Sequence, residues 1–327
     1  MNILLTGGAG YIGSHATLAF LDNGHHVTVI DNLSTGNKKL VPLNASFIEC
    51  DIQDKLTIKN LLKKEKFDVL MHFAGYIEVE ESVSNPEKYF KNNTENAIKL
   101  FQVCEENDLK NIIFSSTAAA YGNPVDDKPL NEESLLKPLN PYGESKIKTE
   151  KYLQTNSNLS HVILRYFNVA GADPKMRSGL ISKKATHLIK IASEVVVGKR
   201  DKITIFGNDY PTPDGTAIRD YIHVSDLANV HVKAAEYLLK KQKSEIINCG
   251  YGKGFSVKEV LDVVNKVNEK SINIIEGERR AGDSSMLVSN VSKLNNILDW
   301  TPQYNDLIFI IKTALEWEKK ILLDDYA

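Results

Sequence analysis

The string Gly7-Gly8-Ala9-Gly10-Tyr11-Ile12-Gly13 follows a short apolar run, Asn2 to Thr6, and leaves few folds open to the chain. Where a strand passes directly into a helix, glycines at 7, 10 and 13 have three tasks: a turn without Cβ, close backbone approach to an anion, and tight packing of helix on strand. The amino end of that helix presents unpaired N–H groups and the positive end of its dipole to a pyrophosphate. A glycine motif alone is weak evidence, but here it sits in the strand-turn-helix context it needs, and the next apolar run, His26 to Asp31, ends on an acid. The Asp31 carboxylate can accept from ribose hydroxyls and repels a 2′-phosphate, which predicts NAD rather than NADP.

The rest of the first half supports this reading. The runs 46–51, 68–73, 111–116 and 162–167 are nearly continuous in apolar residues, as strands covered on both faces of a parallel sheet must be. Helical patterns lie between them near 12–22, 54–65, 86–107 and 142–156, and this alternation predicts an α/β fold with a doubly wound parallel (Rossmann) sheet. After residue 168 the regularity gives way to Pro174, Gly179, Pro211, Pro213 and Gly215, which predicts a smaller mixed α/β lobe. The apolar string 218–224 reads as one more buried strand. The expected division is a nucleotide-binding domain over 1–168, with a return segment near 217–241, and a substrate-binding lobe over 169–327.

Lysine and arginine total 40 against 42 acids, and a net charge of −2 gives no general attraction to nucleic acid or an anionic membrane. No apolar run approaches the roughly 18 residues of a spanning helix, so a cytoplasmic protein is expected. Cys50, Cys104 and Cys249 are far apart and without CxxC partners, which fits reduced structural thiols, and no cluster of metal-ligand spacing is present.

In Pro141-Tyr142-Gly143-Glu144-Ser145-Lys146 the tyrosine and lysine are four apart, on one face of a helix. An ammonium near a phenol, helped by the positive ring of an oxidised nicotinamide, favours the phenolate and makes Tyr142 a candidate general acid/base. The fifth strand ends in Ser115-Ser116-Thr117, where Thr117 could hold the same substrate oxygen.

Taken together, His72-Phe73-Ala74-Gly75, Phe114-Ser115-Ser116-Thr117, Pro141-Tyr142-Gly143, Arg165-Tyr166-Phe167-Asn168, Ile205-Phe206-Gly207-Asn208-Asp209-Tyr210, Asp214-Gly215-Thr216, Arg219-Asp220-Tyr221-Ile222-His223-Val224 and Arg279-Arg280-Ala281-Gly282-Asp283 resemble the extended short-chain dehydrogenase/reductase family. Within it the chain looks like the UDP-galactose 4-epimerases along nearly its whole length. The resemblance implies that Gly7, Gly10, Tyr11, Ile12, Gly13, Asp31, Asn32, Asp51, Ile52, Phe73, Ala74, Gly75, Asn92, Ser115, Tyr142, Lys146 and Tyr166 line NAD. It also implies that Thr117, Tyr142, Asn168, His187, Phe206, Arg219, Arg280, Asp283 and Leu287 face a UDP-sugar, and that Tyr142, Lys146 and Thr117 carry the chemistry. The second lobe can meet such a ligand on physical grounds: Arg219 and Arg280 can contact a diphosphate, and Phe206 offers an aromatic face to a base.

Two alternatives on the same fold stay open at this point. A sugar-nucleotide 4,6-dehydratase would need an extra acid/base pair after the threonine, where this chain has Ala118 and Ala119. A non-catalytic NAD-binding regulator would have no use for both Tyr142 and Lys146. Two positions depart from the familiar pattern. Ile77 replaces a lysine that helps to hold the cofactor, which predicts looser NAD. Leu287 replaces a gating tyrosine beside the sugar's 2-substituent, which predicts activity on UDP-glucose and UDP-N-acetylglucosamine alike. The His187 position usually holds an asparagine. The resemblance further implies a homodimer through the helical segments 86–107 and 142–154.

Overall fold

Ile3, Leu4 and Leu5 of β1 (Asn2–Thr6) are fully buried, and consecutive side chains leave a strand on opposite faces. Both faces must therefore be covered. In the computed structural model, which describes residues 1–125, 128–156, 158–182, 185–280 and 282–323, they are. The first half continues with α1 (Tyr11–Asp22), β2 (His26–Asp31), β3 (Ser46–Glu49), α2 (Lys55–Lys64), β4 (Val69–His72), α3 (Val79–Ser84), α4 (Pro86–Tyr89), α5 (Ala97–Glu106), β5 (Asn111–Thr117), α6 (Pro141–Thr155) and β6 (Ser160–Tyr166). The second half contains β7 (Asn168–Ala170), α7 (Leu188–Val196), β8 (Ile203–Phe206), β9 (Ile218–His223), α8 (Val224–Lys241), β10 (Glu245–Cys249), β11 (Gly254–Ser256), α9 (Val257–Asn268), β12 (Ile274–Gly277), β13 (Met286–Leu287), α10 (Ser292–Ile297) and α11 (Leu307–Leu323).

A parallel seven-stranded sheet runs β10-β6-β5-β4-β1-β2-β3. Ile3 and Leu5 enter one core with Ala16 and Phe20 of α1 and Leu227, Val230 and Ala234 of α8. Leu4 enters the opposite core with Ile58 and Leu62 of α2, Leu100 and Phe101 of α5 and Leu153 of α6. Each such side chain, once fully buried, contributes about 1.5–3 kcal/mol before entropy is charged against it. The smaller lobe has its own core, in which Ile189 and Ala192 of α7 meet Ile203, Ile205, Val260, Leu261, Ile310 and Ile311.

Two elements differ from the sequence reading. The expected helix over 86–107 is interrupted: residues Phe90–Asn96 form a π-helix between α4 and α5. There the Asn93 carbonyl accepts from Thr149 Oγ1 of α6 at 2.7 Å, while the Asn93 side chain clamps Tyr76, its Oδ1 accepting from the backbone N–H and its Nδ2 donating to the carbonyl, both at 2.9 Å. Widened turns of this kind occur mostly at functional sites. The string 218–224 does form a strand, β9, but it pairs with β7, β11 and β13 in a separate sheet. The strand that joins the large sheet is β10, in register with β6 from Glu245↔Val162 to Cys249↔Tyr166.

Candidate active site

Gly7 has a φ of +78°, and a Cβ built on it would stand 2.6 Å from the Ala74 nitrogen, so the turn after β1 lies directly against the backbone leaving β4. A Cβ on Gly13 would meet the Gly7 oxygen at 2.2 Å, whereas Gly10 is nearly open, with only the Gly7 oxygen, at 3.2 Å, near its Cβ position. Gly10 is the N-cap of α1, no side chain caps that end, and no acid occupies its first turn. The helix therefore offers a bare, positive amino terminus over a surface that Gly7 and Gly10 keep low. Asp31 closes the far side: Oδ2 accepts from Ala9 N at 2.9 Å and Oδ1 from Leu33 N at 2.8 Å. Burial raises its pKa, and the two backbone donors oppose that rise. Asn32 donates to Asp51 Oδ2 at 2.6 Å, which ties together the ends of β2 and β3.

The end of β5 meets α6 opposite this turn. The N-terminus of α6 is set by Asn140, whose Oδ1 accepts from Gly143 N at 2.9 Å, and by Pro141 in the first turn, where a missing N–H is harmless. Tyr142 stands beside the Thr117 side chain, and Thr117 Oγ1 accepts from Ala119 N at 3.1 Å. Lys146 is 2% exposed and donates to the Ser115 carbonyl at 2.8 Å. Its ammonium lies 4.9 Å from the centre of the Phe114 ring and 3.4 Å from where a Cβ on Gly75 would be. Burial lowers the Lys146 pKa to about 8, against an opposing pull from Glu150. Burial raises the Tyr142 pKa, and Thr117 works against that. In the protein alone the phenol is thus the favoured form, so the phenolate requires an added positive charge beside it.

Tyr166, at the end of β6, donates to His231 Nε2 at 2.6 Å. His231 Nδ1 lies 2.8 Å from the Leu227 carbonyl, which can only accept, so Nδ1 carries the proton and Nε2 is free to receive one. Phe73 packs on the same imidazole with ring centres 4.8 Å apart. Ile52 is buried, and Asn92 is half-buried in the π-helix with Nδ2 3.2 Å from Asn93 Oδ1.

The smaller lobe adds a second cluster. Asn168, His187, Tyr11, Gly171, Lys190 and Tyr221 are among the residues lining a small cleft. His187 is the N-cap of α7, and burial lowers its pKa. Arg219 is bound to Asp283 through Nη2, which also donates to the Ser284 carbonyl at 2.7 Å. Leu287 stands opposite Arg219 in the β13–β9 pairing and packs against the cluster of Ala118, Tyr121, Leu130 and Phe167. Arg280 lies over Phe206, its guanidinium 3.9 Å from the ring centre. Arg279 does the same to Tyr210 at 4.2 Å while pairing with Asp209 at 2.6 Å. Ala281, within the expected string 279–283, lies outside the described residues.

The profile of the NAD dependent epimerase/dehydratase family matches residues 3–250. The chain belongs to that family. Among relatives of this epimerase/dehydratase, the UDP-glucose 4-epimerase of Azospirillum brasilense is 44% identical over 322 residues, 98% of this chain and 92% of its own. A crystal structure of a UDP-glucose 4-epimerase superposes with a TM-score of 0.94 at 42% identity, covering 98% of each chain. The UDP-Glc/GlcNAc 4-epimerase of Campylobacter jejuni is 47% identical, with a TM-score of 0.84 over 98% of this chain and 99% of its own.

In this epimerase/dehydratase the fold gathers the expected residues into two groups: the glycine turn, Asp31, Phe73 to Gly75, Ser115, Thr117, Tyr142, Lys146 and Tyr166 around the large sheet, and Asn168, His187, Phe206, Arg219, Arg280, Asp283 and Leu287 on the smaller lobe. Ile77 is 53% exposed, and Lys88 of α4 is engaged with Glu81 at 2.7 Å and with the Tyr76 ring at 4.1 Å. Sequence reasoning missed Asn93, His231 and Glu150, and named Arg165 only within a string that carries the resemblance, with no role of its own. Only Glu150 left a signal, standing four residues beyond Lys146 on the helix. Among the described residues no three His, Cys, Asp or Glu side chains gather as metal ligands, and no helix is long and apolar enough to cross a membrane.

Proposed function

We propose that the chain interconverts UDP-glucose and UDP-galactose by reversible oxidation at C4 with NAD kept bound, and that it also accepts the corresponding N-acetylhexosamines. The observation that carries this reading is the placing of Tyr142 beside Thr117, one helical turn from the buried Lys146 ammonium, which is itself seated on the Ser115 carbonyl and close to Gly75 behind the strand-turn-helix cradle. The cradle fits the cofactor: a low glycine surface, a bare helix terminus for the pyrophosphate, and an anchored Asp31 carboxylate for the ribose. When bound, NAD supplies a hydride acceptor at the sugar's C4 and a positive ring beside Tyr142.

Tyr142, as phenolate, takes the proton of the 4-hydroxyl and later returns it, while Thr117 holds the same oxygen. Lys146 stabilises the phenolate from its seat on the Ser115 carbonyl. Arg219 and Arg280 hold the diphosphate, Phe206 offers its face to the base, and Asn168, His187 and Asp283 line the same UDP-sugar. Since these contacts fall on the UDP half, the flat 4-keto sugar can turn about its diphosphate link and present its other face. The dehydratase alternative lacks its acid/base groups, because Ala118 to Ala120 form a short 3₁₀ turn of small apolar side chains. The two-lobe division follows the same logic: NAD on residues 1–168 with the return segment near 217–241, and the UDP-sugar on 169–327. A cytoplasmic homodimer, formed through the faces of 86–107 and 142–154, completes the reading.

The test is product formation by the purified protein from UDP-galactose and, separately, UDP-N-acetylgalactosamine, with and without added NAD and with 4-epimers resolved chromatographically. Conversion of both is expected, with a loss of about 10²–10⁴-fold in Tyr142→Phe. No conversion of either, even with NAD supplied, would overturn the proposal.

A further inference from the structure

Three consecutive residues of β5 face three successive turns of α6. Thr117 stands beside Tyr142, the Ser115 carbonyl accepts from Lys146 at 2.8 Å, and Ser116 Oγ donates to Glu150 Oε1 at 2.5 Å. The first two contacts involve groups with a role in the proposed reaction. The third holds a carboxylate with no access to solvent: Glu150 is 0% exposed and Ser116 and Arg165 are each 2% exposed.

Arg165 meets Glu150 through Nε at 3.1 Å and Nη2 at 2.6 Å, and its Nη1 reaches the Tyr121 hydroxyl at 3.0 Å and the Glu132 carbonyl at 3.1 Å. Tyr121 passes the chain on to Asn248 of β10 at 2.6 Å. An ion pair is a poor choice for holding a helix on a sheet, because apolar side chains of similar volume do that as well or better. What the carboxylate provides and an apolar group cannot is a fixed negative charge one helical turn from Lys146, in a region of low dielectric.

We propose that Glu150, held by Ser116 and Arg165, is a positioning residue for the Tyr142–Lys146 pair, keeping the lysine charged and the tyrosine seated against Thr117. This rests on the function proposed above. The titratable and charged groups around Lys146 are few. Tyr142 and Glu150 share α6, and Tyr89 of α4 packs edge-on against Tyr142 at 6.4 Å. His72 of β4, its Nδ1 bonded to Thr6 at 2.7 Å, is kept neutral by burial. From β6 come Tyr166, bound to His231, and Arg165, bound to Glu150. Glu150 is thus the carboxylate among them, and its pull supports the charged form of Lys146.

The experiment compares wild type with Glu150→Gln, which keeps the shape and removes the charge, and with Ser116→Ala, which keeps the charge and removes one bond. Protein labelled with carbon-13 at lysine Cε is titrated by NMR, and the Lys146 resonance is assigned by its loss in Lys146→Met. The pH profile of kcat/KM on UDP-galactose is measured in parallel. The expected result in Glu150→Gln is a Lys146 midpoint lower by about one pH unit, with the alkaline limb of kcat/KM moved the same way. Ser116→Ala should lower the thermal midpoint and leave the titration in place. A Lys146 midpoint unmoved in Glu150→Gln overturns the inference. If that variant does not fold, Glu150→Gln/Arg165→Met leaves no unpaired buried charge and is read by the same criterion. Absence of conversion by the wild type would refute the proposed function, whereas an unmoved midpoint in an active background refutes only the role of Glu150.

Discussion

The Tyr166 hydroxyl donates to Nε2 of His231 at 2.6 Å, across the junction of β6 with α8, and this bond exists only while the imidazole is neutral. Once Nε2 takes a proton it has no lone pair left to accept with. Burial lowers the His231 pKa to about 4 from an ordinary 6.5, and it acts in the same direction on His15, to about 4, and on His72 and His223, to about 3. Between those values and 6.5 the unfolded chain binds more protons than the folded one, so stability rises with pH across that window. The full contribution is present above pH 6.5 and is lost progressively on acidification toward 4. Thermal midpoints measured from pH 7 to pH 4 should fall steadily. The fall should be shallower in His231→Phe, which removes one of the four groups, and a flat profile would contradict the buried-neutral assignment.

A methyl group at Gly13 is expected to empty the cofactor cradle. The added carbon would lie 2.2 Å from the Gly7 oxygen and 2.9 Å from the Gly8 Cα, both of them backbone atoms that cannot swing aside. The turn or the helix must shift, at a cost of about 1–3 kcal/mol for such overpacking. Gly13→Ala should show reduced NAD content on purification and a lowered thermal midpoint. Retention of wild-type NAD content would mean that the turn yields more easily than its packing indicates.

Leu287→Tyr tests the breadth of substrate. Leu287 packs against the cluster that contains Ala118 and Phe167, each the neighbour of a proposed site residue, and is paired with Arg219 across the strands. A bulkier ring there should reduce conversion of UDP-N-acetylgalactosamine relative to UDP-galactose by about 10-fold or more, a difference of 1.4 kcal/mol or above. If both rates stay unchanged, Leu287 is packing and nothing more.

What could be read in advance depended on locality. The glycine turn, the buried strands and the Tyr142–Lys146 spacing are properties of neighbouring residues, and they appear in the structure where the pattern put them. The π-helix at Phe90–Asn96 was not legible, because it is accompanied by a bond from Thr149, a residue on another helix, to the Asn93 carbonyl. Nor was the pairing of β9: an apolar strand reads the same in whichever sheet it lies, and its partners β7, β11 and β13 are distant or very short. The Glu150–Arg165 pair was invisible for a related reason, since charged residues are ordinarily read as surface and here are almost fully buried. The expected diphosphate ligand Arg219 also proves to be committed to Asp283 and Ser284, a contact that only the approach of β13 to β9 creates.

The large sheet is completed by a strand far along the chain. β10 covers the outer edge of β6, yet 78 residues lie between Tyr166, where β6 ends, and Glu245, where β10 begins. While the protein is being synthesised, β6 is therefore an open edge, and the core under α1 lacks α8, until about three quarters of the chain has left the ribosome. An exposed parallel edge of apolar residues invites pairing with other nascent chains. The large sheet, begun first in the order of translation, thus stays open until most of the smaller lobe has also been made.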